Sequence, residues 1–183
     1  MNCSEIFTIP NVLTVLRIIS GPFVFYFVKT HQYGIALFVF WLSSLTDFFD
    51  GFIARFFDCE SEIGKLLDPI SDKVLTFFAY LSIRYEFPKL FWLLLCKDLA
   101  ILIAVVFLFL IKAQVTISPL TVSKINTLFV LLFPFLWLCW KTTHIHCINT
   151  VLPYVCYAIV TLTVVSVLSY MKVFISVLRN RYL

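Results

Sequence analysis

Apolar residues run along this chain in six long stretches, at about 12–28, 34–56, 63–83, 90–111, 125–140 and 150–170, and short polar segments separate them. Each stretch is close to the roughly 20 residues that carry a helix across a bilayer. The pattern predicts an all-α integral membrane protein with six transmembrane helices in a single domain, 1–183. Pro10 is well placed to open the first helix, after a mixed segment from Ser4 to Ile9 that suits a membrane interface. Gly21-Pro22 predicts a kink within it. Pro69 falls in the early turns of the third span, where a missing N–H is tolerated, and Pro134 falls inside the fifth. Turns are expected at His31 to Tyr33 and at Arg84 to Lys89, with a longer polar connection from Lys112 to Lys124. No internal repeat interrupts the series.

Composition sharpens this picture. At 62% hydrophobic and 13% charged residues, the chain is excluded from the ordinary soluble class and has no room for an extramembrane domain. The six cysteines form no C-x-x-C pair and read as small packing residues, and His144-x-His146 reads as part of a loop. Met1 to Thr8 carries Glu5 and no basic stretch, so no cleavable signal peptide is expected. The cations give a sidedness. Placing the amino terminus, the 56–63 turn, the 112–124 connection and the carboxyl tail on one side gathers Arg17, Arg55, Lys65, Lys73, Lys112, Lys124, Lys172, Arg179 and Arg181. The other side keeps Lys29, Arg84, Lys89 and Lys141. The richer side is expected to be cytoplasmic, in an inner (cytoplasmic) membrane. The net charge of +4 is then a topology signal and an attraction for anionic membrane lipids, and no nucleic-acid partner is needed.

Seven of the ten acidic residues collect between Asp47 and Asp72: Asp47, Asp50, Asp58, Glu60, Glu62, Asp68 and Asp72. A carboxylate placed centrally in a membrane helix costs about 2.5–3.5 kcal/mol to insert, so the cluster calls for a compensating cation. Asp47, Asp50, Gly51 and Ala54 fall at i, i+3, i+4 and i+7, on one helix face; Gly64, Asp68 and Asp72 fall at i, i+4 and i+8, on another. A short polar turn between them predicts a helical hairpin of spans 2 and 3, with four carboxylates facing beside two glycines. Oxygen ligands at this density suit Mg²⁺ or Mn²⁺ better than zinc, and glycine admits a phosphate closely.

The run Asp47-x2-Asp50-Gly51-x2-Ala54-Arg55-x8-Gly64-x3-Asp68-x3-Asp72 resembles the signature of the CDP-alcohol phosphatidyltransferases, with every fixed position filled. The resemblance implies a six-helix membrane enzyme with its active site at the cytoplasmic end of the span 2–3 hairpin. It would move a phosphatidyl group from CDP-diacylglycerol to an alcohol and release CMP, with two divalent ions and a homodimeric state. Carried over residue by residue, it implies Asp47, Asp50 and Asp68 as metal ligands, and Asp72 as general base that also touches the second ion. Gly51, Ala54, Arg55, Ser61 and Gly64 fall at positions that meet the CDP moiety in relatives. Asn11, Thr14 and Arg17 form a polar strip at the start of the first span. Capping and snorkelling would explain it, while relatives that make phosphatidylglycerol phosphate or cardiolipin carry a similar P-N-x-x-T-x-x-R opening near the nucleotide.

Lys97-Asp98 sits well inside the fourth apolar run and is either a functional site or a self-neutralised structural pair. For the acceptor, Pro119-Leu120-Thr121-Val122-Ser123-Lys124-Ile125-Asn126-Thr127 together with Lys97-Asp98 is closer to the cardiolipin-synthase pattern than to the phosphatidylglycerophosphate-synthase one. Lys97, Lys124 and Asn126 are the acceptor-binding candidates. A site with Asn126 in place of a lysine is under-equipped for glycerol 3-phosphate, which brings about two negative charges where a phosphodiester brings one. Phosphatidylglycerol is therefore the expected acceptor, with glycerol 3-phosphate as the alternative. A small transporter or channel is the competing class, but its carboxylates should be distributed through the depth of the membrane.

Overall fold

The computed structural model describes residues 9–57, 62–110 and 121–182. Among them are six helices and no strand: α1 (Ile9–Lys29), α2 (Tyr33–Phe57), α3 (Glu62–Ile83), α4 (Pro88–Leu110), α5 (Thr121–Thr143) and α6 (His146–Tyr182). Two segments, Val122–Thr143 and His146–Lys172, are long and apolar enough to cross a membrane. Helix α6 outruns the apolar stretch that predicts it: its 37 residues extend about 55 Å at 1.5 Å per residue. Lys172, Arg179 and Arg181 end the apolar pattern, but they are good helix formers and do not end the helix.

Burial follows helical stripes that take some polar residues inward and leave many large apolar ones outside. On α1 the buried face reads Thr14, Arg17, Gly21, Val24 and Val28, while Leu16, Phe23 and Tyr26 on the outer face are each about half exposed. A polar inner face opposed to a broad apolar outer one is the pattern of a helix whose surroundings are more apolar than its interior. The core itself is apolar and centres on Val24, Phe40, Leu75, Ile83, Phe133, Leu138 and Ile159.

Helix α1 packs on both α2 and α3, and among the described residues these are its contacts. Helices α2 and α3, which the sequence pattern predicts as a hairpin, make no direct contact among the described residues and are joined there through α1. Gly21 shows why α1 and α3 come so close. A Cβ built there would sit 3.1 Å from the Phe78 ring, 3.4 Å from the Val74 carbonyl oxygen and 3.5 Å from the Leu75 Cα. Helix α1 runs on through Gly21 and Pro22, so what the glycine supplies at this point is close approach.

A second proline is accommodated by another helix. Pro134 lacks the N–H that would bond to the Val130 carbonyl one turn back in α5. The Tyr80 hydroxyl of α3 donates to that carbonyl at 2.9 Å in the buried core, and the Tyr80 ring stacks on Phe133. At the other end, His31 (φ 58°) and His144 (φ 54°) close α1 and α5 in the left-handed conformation. Gln32 N–H donates to the Phe27 carbonyl at 2.8 Å and His144 N–H to that of Trp140 at 2.8 Å, the hydrogen bonds of ordinary helix C-caps.

Candidate active site

The acidic signature lies on two helices, as its spacing predicts. Asp47, Asp50, Gly51, Ala54 and Arg55 fall in the C-terminal part of α2, and Gly64, Asp68 and Asp72 in the first half of α3. The side chains of Asn11, Asp47, Asp50, Arg55 and Asp68 lie outside the described residues, as do the surroundings of Gly51, Ala54 and Gly64 and the whole of Ser61. Asp72 is the member of the four-carboxylate set whose side chain is described.

Asp72 is held from α1. Arg17 is 1% exposed, and its Nη1 donates to Asp72 Oδ1 at 3.2 Å and to the neighbouring Ser71 Oγ at 3.1 Å. The Asp72 side chain stays 46% accessible, so the guanidinium holds the carboxylate without burying it. Burial rules out the snorkelling explanation for Arg17, since a snorkelling head would be in water. Thr14, one turn earlier on the same face, is fully buried. Gly21, one turn later, brings α1 and α3 into the close contact that makes the reach possible. Removing one partner of a fully buried ion pair costs on the order of 3 kcal/mol, and removing Asp72 costs less, because it is about half exposed.

Sequence reasoning placed Arg17 in a polar strip and did not find its partner, and it did not single out Ser71. The legible signal was the arginine itself: a cation on the inner face of an apolar helix demands an acid, and the chain has few.

A second charged group lies one residue further along α3. Lys73 Nζ contacts Asp98 Oδ1 of α4 at 2.6 Å, whereas Lys97 Nζ is 3.8 Å from the same oxygen. The Lys97-Asp98 pair is thus not closed on itself. Asp98 bridges two lysines and leaves one positive charge in excess. Lys73 is largely exposed and Lys97 largely buried. Of the other acceptor candidates, Lys124 is exposed near the start of α5. Asn126 is buried, with its Oδ1 accepting from Thr163 Oγ1 of α6 at 3.3 Å. Its carboxamide is engaged in the α5–α6 interface.

The family model for CDP-alcohol phosphatidyltransferases matches residues 7–167. The chain belongs to that family. Membership places it among the phosphatidyltransferase enzymes of phospholipid biosynthesis, and the transporter reading is not carried further. It is 40% identical over 129 residues to the CDP-diacylglycerol–glycerol-3-phosphate 3-phosphatidyltransferase of Aquifex aeolicus, covering 67% of this chain and 70% of that protein. It is 36% identical over 121 residues to the CMP-forming cardiolipin synthases of Rattus norvegicus and Homo sapiens, covering 64% of this chain and 39% of each of those. The family's CDP-alcohol signature and the Arg17–Asp72 contact thus meet on the same helix, α3.

Proposed function

We propose that the chain transfers a phosphatidyl group from CDP-diacylglycerol to a glycerol-type alcohol and releases CMP. The observation that carries this reading is Asp72, the last acid of the signature, held by a buried arginine while its side chain stays about half exposed. In the proposed step, the acceptor hydroxyl oxygen attacks the lipid-bearing phosphorus. The bond from that phosphorus to the oxygen bridging to CMP breaks, CMP leaves with the electron pair, and the hydroxyl proton passes to Asp72. Arg17 acts by orientation, since a carboxylate fixed on one side presents the other to the hydroxyl in one geometry.

Asp47 and Asp50 on α2, with Asp68 and Asp72 on α3, offer an oxygen-only donor set whose chemistry fits Mg²⁺ or Mn²⁺. When bound, such ions would neutralise the diphosphate and ease loss of the hydroxyl proton. Gly51, Ala54, Arg55, Ser61 and Gly64, with Asn11 and Thr14 from α1, are assigned to the CDP moiety, where Arg55 offers phosphate a two-pronged donor. We assign six membrane spans, with the acidic end on the cytoplasmic side of the inner membrane, and a homodimer.

For the acceptor we favour phosphatidylglycerol, giving cardiolipin, with Lys97, Lys124 and Asn126 near it. Lys73 and Lys97 share Asp98, and the single surplus charge suits a phosphodiester better than glycerol 3-phosphate. The second reading, glycerol 3-phosphate, has its own support in the 40% identity to the Aquifex protein. Purified protein given CDP-diacylglycerol and Mg²⁺ or Mn²⁺ should release CMP on addition of phosphatidylglycerol. Release that requires glycerol 3-phosphate and ignores phosphatidylglycerol would reverse the choice of acceptor within the same reaction.

A further inference from the structure

The end of the bundle remote from the acidic signature carries its own chemistry. A cavity of about 270 Å³ opens there, lined from the ends of α1 and α3, the links that follow them, the start of α2 and Trp137 of α5. Its floor is apolar, with Phe25, Val28 and Leu81, and its mouth carries Lys29, Tyr85 and Glu86. The charges at this mouth do not balance. Glu86 is fully engaged: Oε1 is 2.6 Å from Lys141 Nζ, and Oε2 accepts from Trp137 Nε1 at 2.8 Å. Lys141 is in turn set over the Trp140 and Trp137 rings at 4.6 and 5.4 Å. That pair is neutral as a unit.

Lys29 is left over. Its Nζ lies 5.2 Å over the Phe25 ring, and no carboxylate pairs with it among the described residues. Arg84 likewise has no acid: its Nη2 donates to Tyr85 Oη at 2.7 Å. The Tyr85 phenol is held below its ordinary value by that hydrogen bond and by the Arg84 charge, with Lys29 adding to the effect. Lys29 and Tyr85 therefore line one cavity, and Arg84, which lies outside its lining, is tied to it through the Tyr85 hydroxyl. The C-terminal ends of α1 and α3 point here and disfavour an anion, but their partial charges are each about half a unit, and two full cations outweigh them.

We propose that this cavity is a second phospholipid site, which takes the phosphate of an anionic headgroup at Lys29, beside the Tyr85 hydroxyl that Arg84 holds, and the adjoining glycerol and first acyl carbons on the apolar lining of Phe25, Val28 and Leu81. A cationic rim above an apolar floor matches the order of groups in a phospholipid read from headgroup to chain. The inference rests on the membrane arrangement proposed above and is independent of the transfer reaction. It places a bound lipid in the leaflet opposite the acidic signature.

The test is thermal unfolding of the full chain in phosphatidylcholine nanodiscs with EDTA present, titrated with dihexanoyl-phosphatidylserine, which is neither donor nor acceptor in the proposed reaction. A saturable rise in Tm is expected for the natural chain, for Lys29→Arg, and for Asp50→Asn, whose lesion lies at the other end. At least about tenfold weaker binding is expected for Lys29→Gln, equivalent to roughly 1.4 kcal/mol. Similar weakening is expected for Ser82→Leu, which fills the cavity without removing charge. Equal binding by Lys29→Gln would overturn the proposal. So would an equal response to dihexanoyl-phosphatidylcholine, or a response to inorganic phosphate that matches the lipid's and shows a free-ion site instead.

Discussion

Each end of the bundle carries an acid gripped by a cation from another helix, and the two grips differ in which partner is buried. At the signature end the cation is inside: Arg17 is 1% exposed and reaches out to Asp72. At the far end both partners are accessible: Lys141 is 21% and Glu86 41% exposed, with aromatic rings beside them. A buried cation has no alternative partner in water, so it dictates where its carboxylate sits. An accessible pair exchanges with solvent and dictates little. The first arrangement suits a group that must present one face to a substrate, and the second suits a clasp between α3 and α5.

The comparison can be broken at several points. The largest effect is expected at the signature itself: Asp47→Asn, Asp50→Asn or Asp68→Asn should each abolish CMP release, and EDTA should do the same to the natural chain. Full activity in any two of these variants would remove the metal assignment. Next comes Arg17. Misplacing a reacting group by about 1 Å costs on the order of 10²-fold, so Arg17→Gln should lower kcat by that order while leaving KM for CDP-diacylglycerol close to the natural value. Arg17→Lys keeps the charge without the fork and should fall between. A rise in KM with kcat unchanged would show that Arg17 serves donor binding and does not position Asp72.

Smaller effects should appear away from the site. Tyr80→Phe leaves the Val130 carbonyl without the donor that Pro134 denies it, for about 1 kcal/mol, read as a lower Tm with unchanged kcat. An unchanged Tm would mean that the carbonyl finds another donor. Glu86→Gln should cost at most about 1 kcal/mol and leave CMP release intact. A large loss of activity there would end the distinction between the two grips.

The helices were legible because each contains a long apolar stretch bounded by polar residues, and the acidic signature because its spacing is local. What escaped was whatever depends on distant partners. Arg17 and Asp72 are 55 positions apart and Tyr80 and Val130 are 50 apart, and no periodicity connects them. Gly21 was legible as a special residue but not as a crossing point, since that depends on Phe78 and Val74 of another helix. Lys97-Asp98 looked self-contained because neighbours in sequence suggest a pair. The nearer partner, Lys73, arrives only when α3 packs on α4. The length of α6 was not legible from its apolar stretch, because an apolar criterion stops at the first cations and helix propensity does not.

The central claim is that this chain moves the lipid-bearing phosphate from a nucleotide to an alcohol. The most direct measurement supplies CDP-diacylglycerol labelled with ³²P at the phosphate attached to diacylglycerol, together with Mg²⁺ or Mn²⁺ and phosphatidylglycerol. The account predicts that the label passes into the phospholipid product while unlabelled CMP is released, and that Asp72→Asn stops both. Label recovered in a water-soluble nucleotide, or lipid product formed equally well by Asp72→Asn, would contradict it.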